Sequence, residues 1–262
     1  MAANYGWALS VLNSDKSLKA LFNRAVAKTY SPARFVAELR NTPWFKKHGE
    51  AWRKDSVLQK TDPATWRQNY NSVFAHIHEL SSQMGASTPA KAGDQIARHA
   101  LAFGWSDEQL KATLSGYVTT FKQSGHFSGQ AGQQEDTLRQ LASRNGVTIS
   151  DKSLKGFLRS IAAGNSSVEV ASDWIRKQAM TTFPGFSDQI QAGVDVADLA
   201  SPYMQSMGQI LEVNPNQITL QDPTIRQALQ HKGADGKLAQ QPLYEFEQGL
   251  RQDSRWLKTK NA

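Results

Sequence analysis

The sequence contains no cysteine, and this absence excludes disulfide scaffolds, catalysis by a thiol, and zinc sites with cysteine ligands. No run of apolar residues approaches the roughly eighteen that a membrane-spanning helix needs. Residues 1–10 lack the basic and continuous apolar regions of a secretory signal, so we predict none. Strand-like alternation is also scarce, and the best β-branched cluster covers only residues 146–149. The sequence therefore predicts neither a membrane span nor a β-rich fold.

Apolar residues are nevertheless sufficient for a core, because the 262 residues include 7 Trp, 11 Phe and 6 Tyr. Disordered chains are poor in such residues. Leu18, Leu21 and Ala25 recur at three- and four-residue steps, which indicates one apolar face of a helix. Helix starts are indicated where a capping residue precedes proline or opens a capping box, at Ser31-Pro32, Asp62-Pro63 and Ser106 to Gln109. We predict an all-α fold built from repeated helical hairpins.

Residues 124–134 contain three glycines and no Asp, Glu, Lys or Arg. Such a composition is typical of a linker. We therefore predict a basic N-terminal helical domain at 1–123, a linker at 124–134 and a C-terminal helical domain at 135–262. The alternative is that 124–134 is a loop between two helices of one domain.

An internal repeat is indicated by the hexapeptide 14–19, which returns letter for letter at 150–155. The order of short helix, serine cap (Ser31, matched to Ser166), second helix and aromatic residue is also similar. A third, partial echo compares Phe35, Leu39 and Trp44 with Phe246, Leu250 and Trp256. In both, a Trp follows an apolar helical face and a helix-stopping segment. We predict that Trp44 and Trp256 are buried latches, each covering the end of the preceding helix.

Positive charge is concentrated near the N-terminus, because residues 14–60 hold eleven Lys and Arg against four acids. This segment accounts for the whole net charge of +7. We select Lys46, Lys47, Arg53 and Lys54 as a candidate surface for a protein partner or nucleic acid, because they interleave with aromatic residues. The alternative is a solvated helical face, with the tryptophans in the core.

No recognised catalytic, cofactor or metal motif is present. His76 and His78 lie two residues apart on a predicted helix and point to different faces, so they cannot chelate one ion. A muramidase would need a glutamate of raised pKa beside a second carboxylate, and no glutamate stands out for that role. We therefore predict no catalytic residue, no cofactor and no metal, and the sequence favours a non-enzymatic protein.

Several aromatic and structural motifs near both ends of the chain resemble proteins from the virion structural gene block of tailed phages that infect actinobacteria. The motifs are Tyr5-Gly6-Trp7-Ala8-x3-Leu12, Leu21-Phe22-x2-Ala25-Val26, Ser31-Pro32-x-Arg34-Phe35, Leu39-Arg40-Asn41-Thr42-x-Trp44-Phe45, and the C-terminal Pro242-Leu-x2-Phe246-Glu-x2-Leu250-Arg-x-Asp253-x-Arg255-Trp256-x2-Thr259-x-Asn261-Ala262.

The resemblance implies a virion component assembled in the host cytoplasm, placed in the tail, tail tip, connector or capsid interior. Its partners would be other virion proteins and further copies of itself, in a ring or another multi-copy assembly. Two alternatives remain: a virion protein that degrades or binds the host cell wall at infection, and an internal protein that contacts the genome through residues 14–60.

Overall fold

The computed structural model describes residues 7–120, 125–233, 236 and 238–256. The chain divides into two compact units, Met1–Thr119 and Thr120–Ala262. The described residues are mostly helical, and the strands among them are limited to one two-residue pair. The prediction of an all-α fold is therefore confirmed. No helix in the described part of the chain is both long and apolar enough to cross a bilayer.

The N-terminal unit contains eight helices within its described residues. They are α1 (Leu9–Leu12), α2 (Lys16–Ala27), α3 (Pro32–Arg40), α4 (Pro43–Lys47), α5 (Glu50–Thr61), α6 (Pro63–Met84), α7 (Ala90–Phe103) and α8 (Asp107–Ser115). Asp62 and Ser106 cap α6 and α8 as predicted, Ser106 through a complete capping box with Gln109. Gly85 and Gly104 end α6 and α7 in the left-handed conformation that glycine adopts without strain.

Two groups of buried side chains hold this unit together. The first joins α1 to α4 and consists of Val11, Leu12, Leu18, Leu21, Ala25, Phe35, Leu39 and Trp44. The second lies along α6, α7 and α8, and includes Ile77, Leu80, Ile96, Ala100, Leu110 and Leu114. Helix α5 has no fully buried residue, yet it packs against α1, α6 and α7. It therefore bridges the two groups while keeping part of its apolar surface open.

The C-terminal unit contains seven α-helices among its described residues. They are α9 (Gly129–Arg144), α10 (Asp151–Ala162), α11 (Val168–Thr182), α12 (Ser187–Gln191), α13 (Val196–Leu211), α14 (Pro223–Leu229) and α15 (Leu243–Leu250). Strands β1 (His231–Lys232) and β2 (Leu238–Ala239) pair antiparallel between α14 and α15. A buried cluster of the described residues joins α11 to α15, around Phe183, Phe186, Tyr203, Ile225 and Phe246.

The sequence predicts a linker at residues 124–134. The structure instead places residues 129–134 in the first turns of helix α9. Ala131 is buried, and the carboxylate of Glu135 accepts a hydrogen bond from the backbone N–H of Phe127 at 2.8 Å. A Cβ on Gly132 would lie 2.8 Å from the carbonyl oxygen of Phe127. Here glycine permits close packing of a turn on a helix, a role that composition alone does not distinguish from flexibility.

The repeated hexapeptide begins a twelve-residue helix in both places, but the capping residue differs. Asp15 caps α2 by accepting from the backbone N–H of Ser17 at 2.7 Å, whereas Ser150 caps α10 by accepting from that of Ser153 at 3.1 Å. The serine that caps α11 is Ser167, so the earlier match to Ser166 is wrong by one residue. The helices of both pairs contact each other: α2 packs against α3, and the ring of Phe157 on α10 lies 5.4 Å from that of Trp174 on α11, although α10 and α11 also pack against α9. Repeated hairpins therefore stay a prediction.

Candidate functional site

The four basic residues selected from the sequence divide into two kinds. Lys46 and Lys47 are exposed at the C-terminal end of α4, where a cation interacts favourably with the helix dipole. Lys54 is exposed on α5, and its Nζ lies 2.7 Å from Glu50 one turn earlier. Because the hydrogen bond and charge of Lys54 favour the carboxylate, the pKa of Glu50 is lowered. These three side chains can reach a partner.

Arg53 is less available to a partner than the three lysines, because its guanidinium contacts other residues of the N-terminal unit. It lies over the ring of Phe45, with 3.8 Å between Cζ and the ring centroid. The same group donates to the backbone carbonyl of Phe45 at 3.0 Å and to that of His48. Carbonyls at the C-terminal end of a helix have no partner in the helix itself. Arg53 therefore closes the end of α4 and fixes the turn into α5.

The aromatic residues around Arg53 form one connected cluster. Trp44 makes edge contacts with Trp7 and Trp52, at centroid distances of 5.9 and 6.2 Å. His48 stacks on Trp52 at 3.5 Å with nearly parallel rings. Such contacts stabilise by about 0.5–1.5 kcal/mol each beyond the area that they bury. Trp44 is only 4% exposed, so it belongs to the core.

An apolar groove lies beside this cluster, on the surface between α4 and α5. Its volume is about 370 Å³, within the size range of small-ligand and side-chain pockets. Apolar surface dominates its lining. The lining residues are Trp7, Trp44, Phe45, Arg53, Lys54, Val57, Leu58 and Thr61. We call this feature the α4–α5 groove.

Sequence reasoning selected Arg53, Lys54 and Trp44 but missed the other walls of the α4–α5 groove. Val57 and Leu58 belong to α5, a helix whose weak apolar pattern gave no signal in the sequence. Their spacing from Lys54, at three and four residues, could have placed them on the same helical face. Part of the lining of the α4–α5 groove could therefore have been predicted from the sequence.

Positive charge predominates in the part of the chain that forms α1 to α4. Described residues 7–49 include eight Lys and Arg against two acids, Asp15 and Glu38. None of the eight forms a salt bridge within the described part of the chain. In the C-terminal unit, by contrast, four arginines are held by carboxylates: Arg139, Arg144, Arg176 and Arg255.

Trp256 is half-buried and packs against the C-terminal core that contains Phe246 and Leu250. Trp44 similarly shares a cluster with Phe35 and Leu39. Each Trp therefore lies near the apolar pair that precedes it. That each indole covers the end of its helix stays a prediction. Residues beyond Trp256 lie outside the described part of the chain.

Two polar contacts outside the α4–α5 groove are structural. Nε2 of His76 lies 2.9 Å from Asp107, which links α6 to α8. The buried Asn145 donates to Asp195 at 2.8 Å and accepts from the backbone N–H of Val196 at 3.3 Å, which fixes the start of α13. Among the described residues, no group of three or more His, Asp and Glu side chains could hold a metal ion.

Comparisons with protein-family models, with curated proteins and with solved structures find no match to this chain.

Proposed function

We propose that this protein is a non-enzymatic structural component of a tailed-phage particle, present in several copies and assembled with other virion proteins. The observation that carries the proposal is the position of the residues on which the sequence resemblance rests. Leu21, Phe35, Leu39 and Trp44 are all buried in one cluster of the N-terminal unit. A resemblance carried by such buried residues concerns the fold of this unit.

The surface of the same unit supports a binding role. It presents the α4–α5 groove beside the exposed Lys46 and Lys47. Contiguous apolar surface with a charged border is typical of protein interaction sites. In the proposed role the protein acts by packing: the groove and the basic helices contact neighbouring subunits.

The proposal is tested by mass spectrometry of phage particles purified through a density gradient, with the crude lysate as the reference. We expect peptides of this protein in the purified particles, at a constant ratio to the major capsid protein across gradient fractions. Separation of heads from tails would then assign its position. Detection in the lysate together with absence from the particles would overturn the proposal.

A second candidate function, contact with the packaged genome, is favoured by helix α2. Its described residues include no acid, while Lys16, Lys19 and Arg24 are exposed on it and Lys28 follows at its end. A protein that neutralises DNA phosphates releases counterions, so its affinity falls steeply with salt concentration.

This candidate is tested by a mobility shift with duplex DNA at low salt. Replacing Lys16, Lys19, Arg24 and Lys28 with Gln should abolish the shift. The matched control replaces four exposed cations of the C-terminal unit, Lys152, Lys177, Arg226 and Lys232. If both variants lose DNA binding equally, the binding depends on the net charge of the protein and not on α2. If the parent protein itself gives no shift, α2 is excluded as a DNA-binding surface.

A further inference from the structure

The α4–α5 groove and the start of helix α15 have complementary surfaces. The groove is apolar and carries Lys54 on its lining, with Lys46 and Lys47 exposed nearby. We propose that the groove of one copy binds the segment 238–247 of a second copy, so that copies associate head to tail. This inference rests on the proposed function, because a component present in several copies needs a contact between them.

The proposed segment exposes large apolar side chains that its own unit leaves uncovered. Leu238 on β2 is 40% exposed, and on α15 Leu243 is 38% and Tyr244 is 69% exposed. Phe246 and Leu250 of the same helix are buried, so α15 is packed against the core of its unit. The exposed side chains are therefore presented from a fixed helix start, which limits the entropy lost on binding.

The charges of the two surfaces also favour contact between the segment 238–247 and the α4–α5 groove. Residues 238–250 contain two glutamates and no Lys or Arg. Glu245 is exposed and forms no salt bridge within the described residues, while Glu247 accepts a hydrogen bond from Ser206 at 2.8 Å. The opposite surface carries the exposed Lys46 and Lys47, which form no salt bridge in the part of the chain that the structure describes, together with Lys54, which pairs with Glu50 at 2.7 Å. Complementary charges around an apolar contact fix its register and suppress wrong partners.

Nucleic acid fits this groove less well than a protein segment does. The groove wall is mainly apolar, and the ring of Trp44 is too buried for a base to stack on it. Arg53, the guanidinium nearest to the groove, already donates to backbone carbonyls. An apolar side chain flanked by a carboxylate matches these features.

The two proposed surfaces are different parts of the chain, so the contact is heterologous. A heterologous contact closes into a ring if the rotation between copies permits and otherwise extends as a filament. Association should therefore continue past the dimer as concentration rises.

The first test measures the mass of the full chain by sedimentation over a range of concentrations. Thr61→Trp places a large side chain in the groove from an exposed position at the end of α5, and should weaken association by about tenfold or more. Gln59→Trp is the matched control, because Gln59 is exposed on the same helix but does not line the groove.

On the opposite surface, Tyr244→Ala should weaken association. Val170→Ala, at another exposed apolar residue of the C-terminal unit, should not.

The second test exchanges charge across the contact. Lys54→Glu and Glu245→Lys should each weaken association about fivefold, and the double variant should recover most of the loss. Lys60→Glu makes the same charge change on the same helix outside the groove lining and should have little effect. Thermal melts of each variant verify that it is folded.

A chain that stays monomeric at every concentration overturns the inference. The inference is also overturned if Lys54→Glu and Lys60→Glu weaken association equally, or if Thr61→Trp and Gln59→Trp do. These results are independent of particle composition. A protein found in particles but monomeric in solution would contradict the head-to-tail contact alone. A self-associating protein absent from particles would contradict the proposed function alone.

Discussion

The guanidinium of Arg53 lies 3.8 Å above the ring of Phe45 and donates to the backbone carbonyl of the same residue at 3.0 Å. One side chain thus holds both the ring and the backbone at the end of α4. This position also forms one wall of the α4–α5 groove. The shape of the groove therefore depends on a residue that, from the sequence, looked like part of a basic binding surface.

Replacing Arg53 with Ala should destabilise the N-terminal unit by about 1–3 kcal/mol, because the cation–π contact is lost and helix-end carbonyls lose their donor. Lys54→Ala is the adjacent control and should change stability much less, since its pair with Glu50 is exposed and screened by solvent. Chemical denaturation of both variants measures the difference. Equal effects would show that the Arg53 contacts add nothing to those of an exposed cation.

The two tryptophans selected from the sequence should differ in their effect on stability. Trp44→Ala should cost about 3–5 kcal/mol, because the indole is nearly fully buried among Phe35, Leu39 and two other tryptophans. Trp256→Ala should cost less than about half as much, because Trp256 is only half-buried. Denaturant unfolding followed by circular dichroism tests this order. A larger loss at Trp256 would contradict the burial that distinguishes the two residues.

The sequence predicted the helices best where local chemistry determines them. The caps at Ser31, Asp62 and Ser106 depend on neighbouring residues alone, and the structure places them as expected. Helix α5 gave no signal, because it bridges two clusters and has no fully buried stripe. The use of Arg53 inside the unit was also missed, since its partners depend on how α4 and α5 meet in three dimensions.

Two helical glycines should respond in opposite directions to the same substitution. Gly132→Ala places a Cβ 2.8 Å from the carbonyl oxygen of Phe127, a backbone atom that cannot move alone, and should destabilise by about 1–3 kcal/mol. Gly156→Ala on α10 has nothing within 4 Å of the new Cβ and should stabilise by about 0.5–1 kcal/mol. Thermal unfolding of both variants tests the prediction. Stabilisation by Gly132→Ala would mean that the turn at Phe127 does not pack on α9 as described.

Glu135 should make the C-terminal unit sensitive to acid. Its side chain is 1% exposed, and although burial alone raises a carboxyl pKa, the hydrogen bonds from the Phe127 N–H and from Arg139 outweigh it and hold the pKa of Glu135 below its usual value. A depressed pKa in the folded state means that the unfolded chain binds the proton more readily. The stabilisation is therefore complete above the ordinary glutamate pKa of about 4.3 and is lost as pH falls through the lower folded value.

The variant Glu135→Gln cannot ionise, so it isolates this contribution. We expect it to be less stable than the parent at pH 7, because Arg139 loses one of its two carboxylate partners and a neutral oxygen replaces a charged acceptor. The difference should shrink as pH falls below about 4.3, because the glutamate of the unfolded parent then takes up a proton while the folded parent resists protonation. Asp136→Asn changes the neighbouring acid, for which no salt bridge is formed within the described residues, and controls for net charge. Unfolding free energies from pH 7 to pH 3 test this, and a stability difference that stays constant over that range would exclude Glu135 as an acid-sensitive group.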